Sequence, residues 1–199
     1  MAVVEATAPM TTEQLLALPD DGVERWLIRG QLREKPAMVG QSGEKIMTIR
    51  NRWHSRIMAR VTKFLDNWLD QQPAPRGSVL CGEAGVRLTR DPDSTVGVDV
   101  VYISAEVAAR QPDDTTLIDG VPILAVEILS PTDILDGINE KIDQYLAVGV
   151  PLVWSVDPHR RTVTIYRPDQ EPELVNVRQE LSGEPHLSGF RVPVAELFA

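Results

Sequence analysis

Two carboxylates stand where carboxylates are rarely found. Asp99 lies in Val98-Asp99-Val100-Val101 and Glu127 lies in Ala125-Val126-Glu127-Ile128-Leu129, each within a short apolar run. Taking an ionised carboxylate out of water costs several kcal/mol unless a partner or a cation meets it. On a half-buried strand, alternation lets a single such residue face solvent cheaply. Two of them, in runs that are apolar at both parities, point to a shared site. A pair on neighbouring strands can bind a hard divalent cation, Mg²⁺ or Mn²⁺, through oxygen. Lys141 is the third element, because it lies early in the helical pattern that follows the Glu127 run. From there its ammonium can reach back toward the strand end, to orient a water or to stabilise charge developing on a phosphate. Gln144 and Tyr145 follow Lys141 at three and four residues and can share its helix face. Tyr145 reads as a core residue whose polar tip lies near the site.

The elements that must position these groups are legible in outline. Thr11 or Thr12 can cap a short helix over 13–18 that stops at Pro19. Residues 23–34 alternate loosely around Trp26, Ile28 and Leu32, with a break at Gly30, and read as a strand or hairpin. A Gly-containing loop is expected over 36–43. Ile46, Ile49, Trp53, Ile57, Val61, Phe64 and Trp68 recur at three- and four-residue steps, which places them on one face of a long helix over 44–70. Residues 78–88 read as a strand bent at Gly82 and Gly85, 91–97 as a turn-rich loop, 98–103 as a strand, and 112–120 as a polar loop. A second apolar run over 122–129 is a strand closed by Ser130-Pro131, and 138–148 is a helix capped by Gly149. Residues 152–156 and 162–166 form a hairpin, followed by a strand over 174–177 and a terminal turn or helix over 190–198. Strands with helices between them predict a mixed α/β (α+β) domain over 11–199 behind a loose tail over 1–10.

The 199-residue chain carries 29 acidic against 20 basic side chains, a net charge of −9. That balance opposes indiscriminate binding to nucleic acid or to anionic membrane. No apolar run is long enough to span a bilayer. The first nine residues have no Lys or Arg and no sustained apolar stretch, so no secretory signal is expected there. The lone Cys81 excludes an intramolecular disulfide and suits a reducing, cytoplasmic setting. One segment opposes the overall charge. Residues 44–63 hold Lys45, Arg50, Arg52, Arg56, Arg60 and Lys63 against the single acid Glu44. Arg52, Arg56 and Arg60 step by four and form a stripe suited to phosphate oxygens. A solvated helix face is the competing reading. His54 flanks the stripe, while His159 and His186 have no ligand-like spacing to it or to each other, so no metal is assigned to any histidine.

The string Ala125-Val126-Glu127-Ile128-Leu129-Ser130-Pro131, then Lys141 and Tyr145, then Gly149-Val150-Pro151 and Val153-Trp154-Ser155-Val156-Asp157-Pro158, resembles the Uma-two family of restriction endonuclease-like proteins. Leu27-Ile28-Arg29-Gly30-Gln31-Leu32 is similar to the family's N-terminal hairpin, and Glu83-Ala84-Gly85-Val86-Arg87-Leu88 to the strand before its acidic one. The resemblance runs from about residue 11 to residue 198. It implies a restriction endonuclease-like fold of the PD-(D/E)xK class, a mixed sheet flanked by helices. Asp99 is then the Asp of the first motif and Glu127 the Glu of the second. The lysine has moved from the strand, where Leu129 now stands, to the following helix as Lys141. The resemblance also implies a Mg²⁺ or Mn²⁺ cofactor on Asp99, Glu127 and the backbone carbonyl of Ile128, a DNA substrate and a homodimer. Two positions depart from the pattern: Val98 replaces the proline before Asp99, and Trp26 stands where many relatives carry Glu. Glu24, Glu34 and Glu83 are the acids available to complete the site. The expected activity is metal-dependent phosphodiester hydrolysis, and the alternative is a nuclease fold that binds nucleic acid or protein without cutting. A carboxylate-pair glycosidase fits worst, because aromatics for sugar stacking are only 5% of the chain and Lys141 has no role in it.

Overall fold

The computed structural model describes residues 8–35, 51–112, 115–130, 133 and 135–199. The loop expected over 36–43, residues 44–50 of the expected long helix with Lys45 and Arg50, most of the N-terminal tail and Pro131 lie outside the described residues. The described elements are, in order, α1 (Thr12–Leu16), β1 (Arg25–Ile28), β2 (Gln31–Glu34), α2 (Arg52–Leu69), β3 (Ser78–Thr89), β4 (Ser94–Ile103), α3 (Ala105–Ala109), β5 (Ile118–Asp119) and β6 (Leu124–Ile128). They continue with α4 (Leu135–Ala147), β7 (Leu152–Asp157), β8 (Thr162–Tyr166), β9 (Glu173–Asn176), β10 (Glu180–Ser182), β11 (Arg191–Pro193) and α5 (Val194–Leu197).

Local chemistry accounts for the element ends. Thr11 and Gln14 form a reciprocal capping box that opens α1. The β1–β2 hairpin turns through Arg29 and Gly30, both at positive φ, as a two-residue hairpin turn requires. Asn51 caps α2 by accepting the N–H groups of Trp53 and His54. The expected loop over 91–97 is instead a turn over 90–93, with β4 already under way at Ser94. The polar residues there are not solvated: Thr95 Oγ1 lies 2.7 Å from Thr12 Oγ1, and Gln144 Nε2 donates to Ser94 Oγ at 3.1 Å. Side-chain hydrogen bonds thus make a strand of a segment whose composition reads as loop. The polar stretch after α3 likewise contains the short strand β5.

Among the described residues the main sheet has nine strands and is mixed. Its path runs β2-β1-β4-β6-β7-β8-β9, with β3 along β4 and β5 on β3. The β6–β7 and β3–β5 pairs are parallel and the rest antiparallel. Helix α4 is the crossover between β6 and β7, as a parallel pair demands. Strand β10 pairs with β11 in a separate small sheet.

Strand β4 has three partners. Because β3 pairs with it from end to end, the opposite edge must serve both β1, at Thr95, and β6, at Val100 to Tyr102. Asp99 sits where β1 has left and β6 begins. Opposite this point β3 is irregular: Cys81 pairs with Val100 and Ala84 with Val98, so Gly82 and Glu83 form a bulge, both at positive φ. Apolar side chains divide into two clusters, one on each side of the sheet. Ile57, Val61, Leu65 and Leu69 of α2 pack with Val100, Val126 and Trp154. Ile142 and Tyr145 of α4 pack with Val98, Val101, Ala125 and Val153. Val98 and Val101 share one side while Val100 takes the other, so strict alternation fails at Asp99.

The helical face of α2 differs from the spacing-based expectation. The buried residues are His54, Ile57, Val61, Leu65 and Leu69, whereas Trp53 is 58% exposed. At about 100° per residue, Trp53 falls beyond the edge of that stripe. No described helix is long and apolar enough to cross a membrane.

Candidate active site

Asp99, Glu127 and Lys141 converge, and all are about 95% buried. Glu127 shares its parity on β6 with Ala125, which directs it toward α4. Lys141, from the second turn of α4, places Nζ 3.3 Å from Glu127 Oε2 and 3.4 Å from Oε1. The same ammonium donates to the carbonyl of Gly97 at 3.0 Å and lies 5.5 Å from the centre of the Trp26 ring. Thus the Trp26 ring covers the lysine. Tyr145 is fully buried and donates its hydroxyl to Glu127 Oε1 at 2.6 Å.

Asp99 is held by other groups. Its Oδ2 accepts the backbone N–H of Ile128 at 2.7 Å, which stitches β4 to β6 just beyond their last strand pair. Its Oδ1 lies 3.0 Å from Nε2 of His54, which is 2% exposed. The His54 Nδ1 is buried and has no hydrogen-bond partner among the described residues. The two carboxylates are therefore gripped from opposite layers, Asp99 by α2 and Glu127 by α4. His54 is the site residue that sequence reasoning did not assign. The sequence shows it only as a histidine flanking the arginine stripe.

The remaining candidates separate. Glu83 sits on the β3 bulge with Oε2 against Gly97, where an added Cβ would stand 2.6 Å from it. A glycine at 97 therefore makes room for the Glu83 carboxylate beside the strand position that binds Lys141. Glu24 lies 3.5 Å from Lys35 and contributes to the field on Lys141. Glu34 pairs with Arg25 at 2.7 Å and belongs to the hairpin surface. Gln144 does not touch either carboxylate; it bonds Ser94. Arg52 and Arg56 are exposed, while Arg60 is half-buried, 4.0 Å from Glu196.

The electrostatics reflect a surplus of buried negative charge. Burial pushes the Glu127 carboxyl up, and Asp99 adds to the shift, while Lys141 and Tyr145 oppose it. Burial alone would lower the Lys141 ammonium, but Glu127, Glu24 and Asp99 outweigh it and hold its pKa above the ordinary value. Tyr145 is pushed well up, first by burial and then by Glu127, so it remains a neutral donor. Two carboxylates against one ammonium form an oxygen-rich donor set that suits a hard divalent cation. No group of three His, Cys, Asp or Glu side chains arranged to hold a metal ion occurs among the described residues. A cation here would draw further ligands from backbone carbonyl and water. A cavity of 570 Å³ between the β1–β2 hairpin and α4, walled by Trp26, opens onto Lys141.

The model of the Uma2 family, described as "Putative restriction endonuclease", matches residues 12–195. The chain belongs to the Uma2 family. A Uma2 assignment agrees with the mixed sheet and flanking helices, and a solved structure shares that fold. It is the crystal structure of "a putative nuclease belonging to DUF820" from Anabaena variabilis ATCC 29413, with a TM-score of 0.75 and 21% identity over 96% of this chain and 98% of that one. No functionally curated protein is significantly similar to this Uma2 chain in sequence.

Proposed function

We propose that the chain is a metal-dependent nuclease that hydrolyses phosphodiester bonds in DNA. The observation that carries this reading is the return of Lys141 to Glu127 from a helix, at 3.3 Å, beside Asp99 on the neighbouring strand. Asp99, Glu127 and the backbone carbonyl of Ile128 would hold Mg²⁺ or Mn²⁺, with Glu83 as a further candidate ligand. When bound, such a cation supplies Lewis acidity to a phosphate oxygen and a template for the attacking water. Within this reading Lys141 donates a hydrogen bond to the nucleophile or to a phosphate oxygen and stabilises negative charge there. Tyr145 fixes the rotamer of Glu127, and Ile128 N–H and His54 fix that of Asp99. Arg52, Arg56 and Arg60 contact backbone phosphates, which positions DNA without reading its sequence.

A second reading, a nuclease fold that binds without cutting, is supported by one observation. Three of the four carboxylate oxygens of Asp99 and Glu127 already accept hydrogen bonds from the protein, and the fourth, Asp99 Oδ1, lies 3.0 Å from His54 Nε2. Calorimetric titration of Mn²⁺ separates the two. The nuclease reading expects saturable binding that Asp99→Ala and Glu127→Ala each abolish. No heat above dilution in the wild-type protein favours the non-cutting module.

A further inference from the structure

Trp53 occupies a place that the family assignment and the site chemistry do not explain. Tryptophan is among the largest apolar side chains and is highly buried on average, yet Trp53 is 58% exposed. The other three tryptophans all pack inward: Trp26 and Trp154 are buried, and Trp68 stacks edge-on against Tyr102 and Phe190. No ring or cation stacks on Trp53 among the described residues. Its backbone is not loose, because its N–H is bonded to the Asn51 cap at 2.8 Å. Its surroundings are strongly one-signed. From Arg52 to Leu65 the helix carries Arg52, Arg56, Arg60 and Lys63 and no acid. Arg56 is three residues on from Trp53 and so its neighbour on the helix surface. Arg52 and Arg56 form no ion pair among the described residues. The adjacent residue, His54, reaches Asp99. An exposed indole among unpaired arginines therefore sits one residue from a group that touches the candidate active site.

We infer that Trp53 is a stacking platform for an unpaired base, flanked by Arg52 and Arg56 on the phosphates, and that the substrate strand is single-stranded or locally unstacked beside the scissile bond. A flat π-face with adjacent cationic side chains is the combination that binds single strands without sequence preference. In a continuous duplex the base faces are already stacked on each other and cannot reach the indole. The inference rests on the nuclease reading and narrows its substrate class.

The test uses the full chain in EDTA at low ionic strength, with a labelled oligothymidylate and a duplex of equal length. Wild-type protein binds the single strand more tightly. Trp53→Ala weakens single-strand binding by about tenfold, leaves duplex binding within about twofold, and leaves the salt dependence of binding unchanged, because that slope counts phosphate contacts. Trp53→Phe retains most of the affinity. Tryptophan emission is quenched by the single strand in the wild type and not in Trp53→Ala. If Trp53→Ala binds both probes as the wild type does, the inference is overturned while the nuclease reading stands. The same holds if the variant changes only the sedimentation of the protein, which would make the indole a contact between copies. If the wild type binds neither probe, the nuclease reading fails and the inference falls with it.

Discussion

His54 Nε2 lies 3.0 Å from Asp99 Oδ1, so a helix on one side of the sheet holds a carboxylate whose companion is held from the other side. Neither grip alone assembles the pair. Asp99 lies at the fork where β4 exchanges β1 for β6, and the lost alternation there lets it meet α2. Glu127 keeps its alternation and meets α4.

His54→Ala removes the imidazole that lies 3.0 Å from the buried Asp99 Oδ1, at a cost of about 1–3 kcal/mol. For a chain of this size that lowers Tm by about 2–4 °C per kcal/mol. His54→Gln, which keeps a donor, recovers part of the loss. Thermal unfolding followed by circular dichroism measures it, and an unchanged Tm in His54→Ala would contradict a structural grip on Asp99.

Tyr145→Phe removes the hydroxyl from Glu127 without altering the packed ring. A hydrogen bond to a charged group contributes about 1.5–3 kcal/mol. The variant should fold, lose stability by that order, and cleave DNA about tenfold more slowly, since the role is to position Glu127. Complete loss of cleavage with a normal Tm would instead make the hydroxyl a direct participant.

Arg33 and Glu140 join the β1–β2 hairpin to α4 across the mouth of the cavity, at 2.6 Å. The Arg33 hydrogen bond holds the Glu140 carboxyl below its ordinary value of 4.5. A depressed acid binds fewer protons folded than unfolded, so its contribution is complete above that value and is lost as pH falls through the lower, folded one. Glu140→Gln should therefore flatten the decline in stability below pH 4.5 while changing little of the slope at neutral pH. Denaturant midpoints at both pH values read this directly, and parallel curves for the two proteins would show that the pair contributes nothing.

Asp99 and Glu127 stood out in the sequence because they interrupt apolar runs, and the structure buries both side chains. Lys141 was legible through its place after the Glu127 strand and through the family resemblance. His54 was not, because its role depends on a tertiary contact with a strand 45 positions later in the chain. Trp53 was placed with the core because three- and four-residue spacing tolerates an error of about 100° at a helix end. The start of β4 was hidden by Ser94 and Thr95, whose polarity suggests a loop until their hydrogen-bond partners are known. The bend at Gly82 was anticipated, and the structure adds that it is a bulge facing Asp99.

The central claim is that Asp99, Glu127 and Lys141 form one hydrolytic centre. The direct measurement is conversion of supercoiled plasmid to nicked circles in Mn²⁺ by wild-type protein and by Asp99→Ala, Glu127→Ala and Lys141→Ala, each checked for folding. The account predicts nicking by the wild type that falls about a hundredfold or more in each variant, the effect of about 3 kcal/mol on the barrier. Nicking at the wild-type rate by all three folded variants, or none by the wild type, would contradict it.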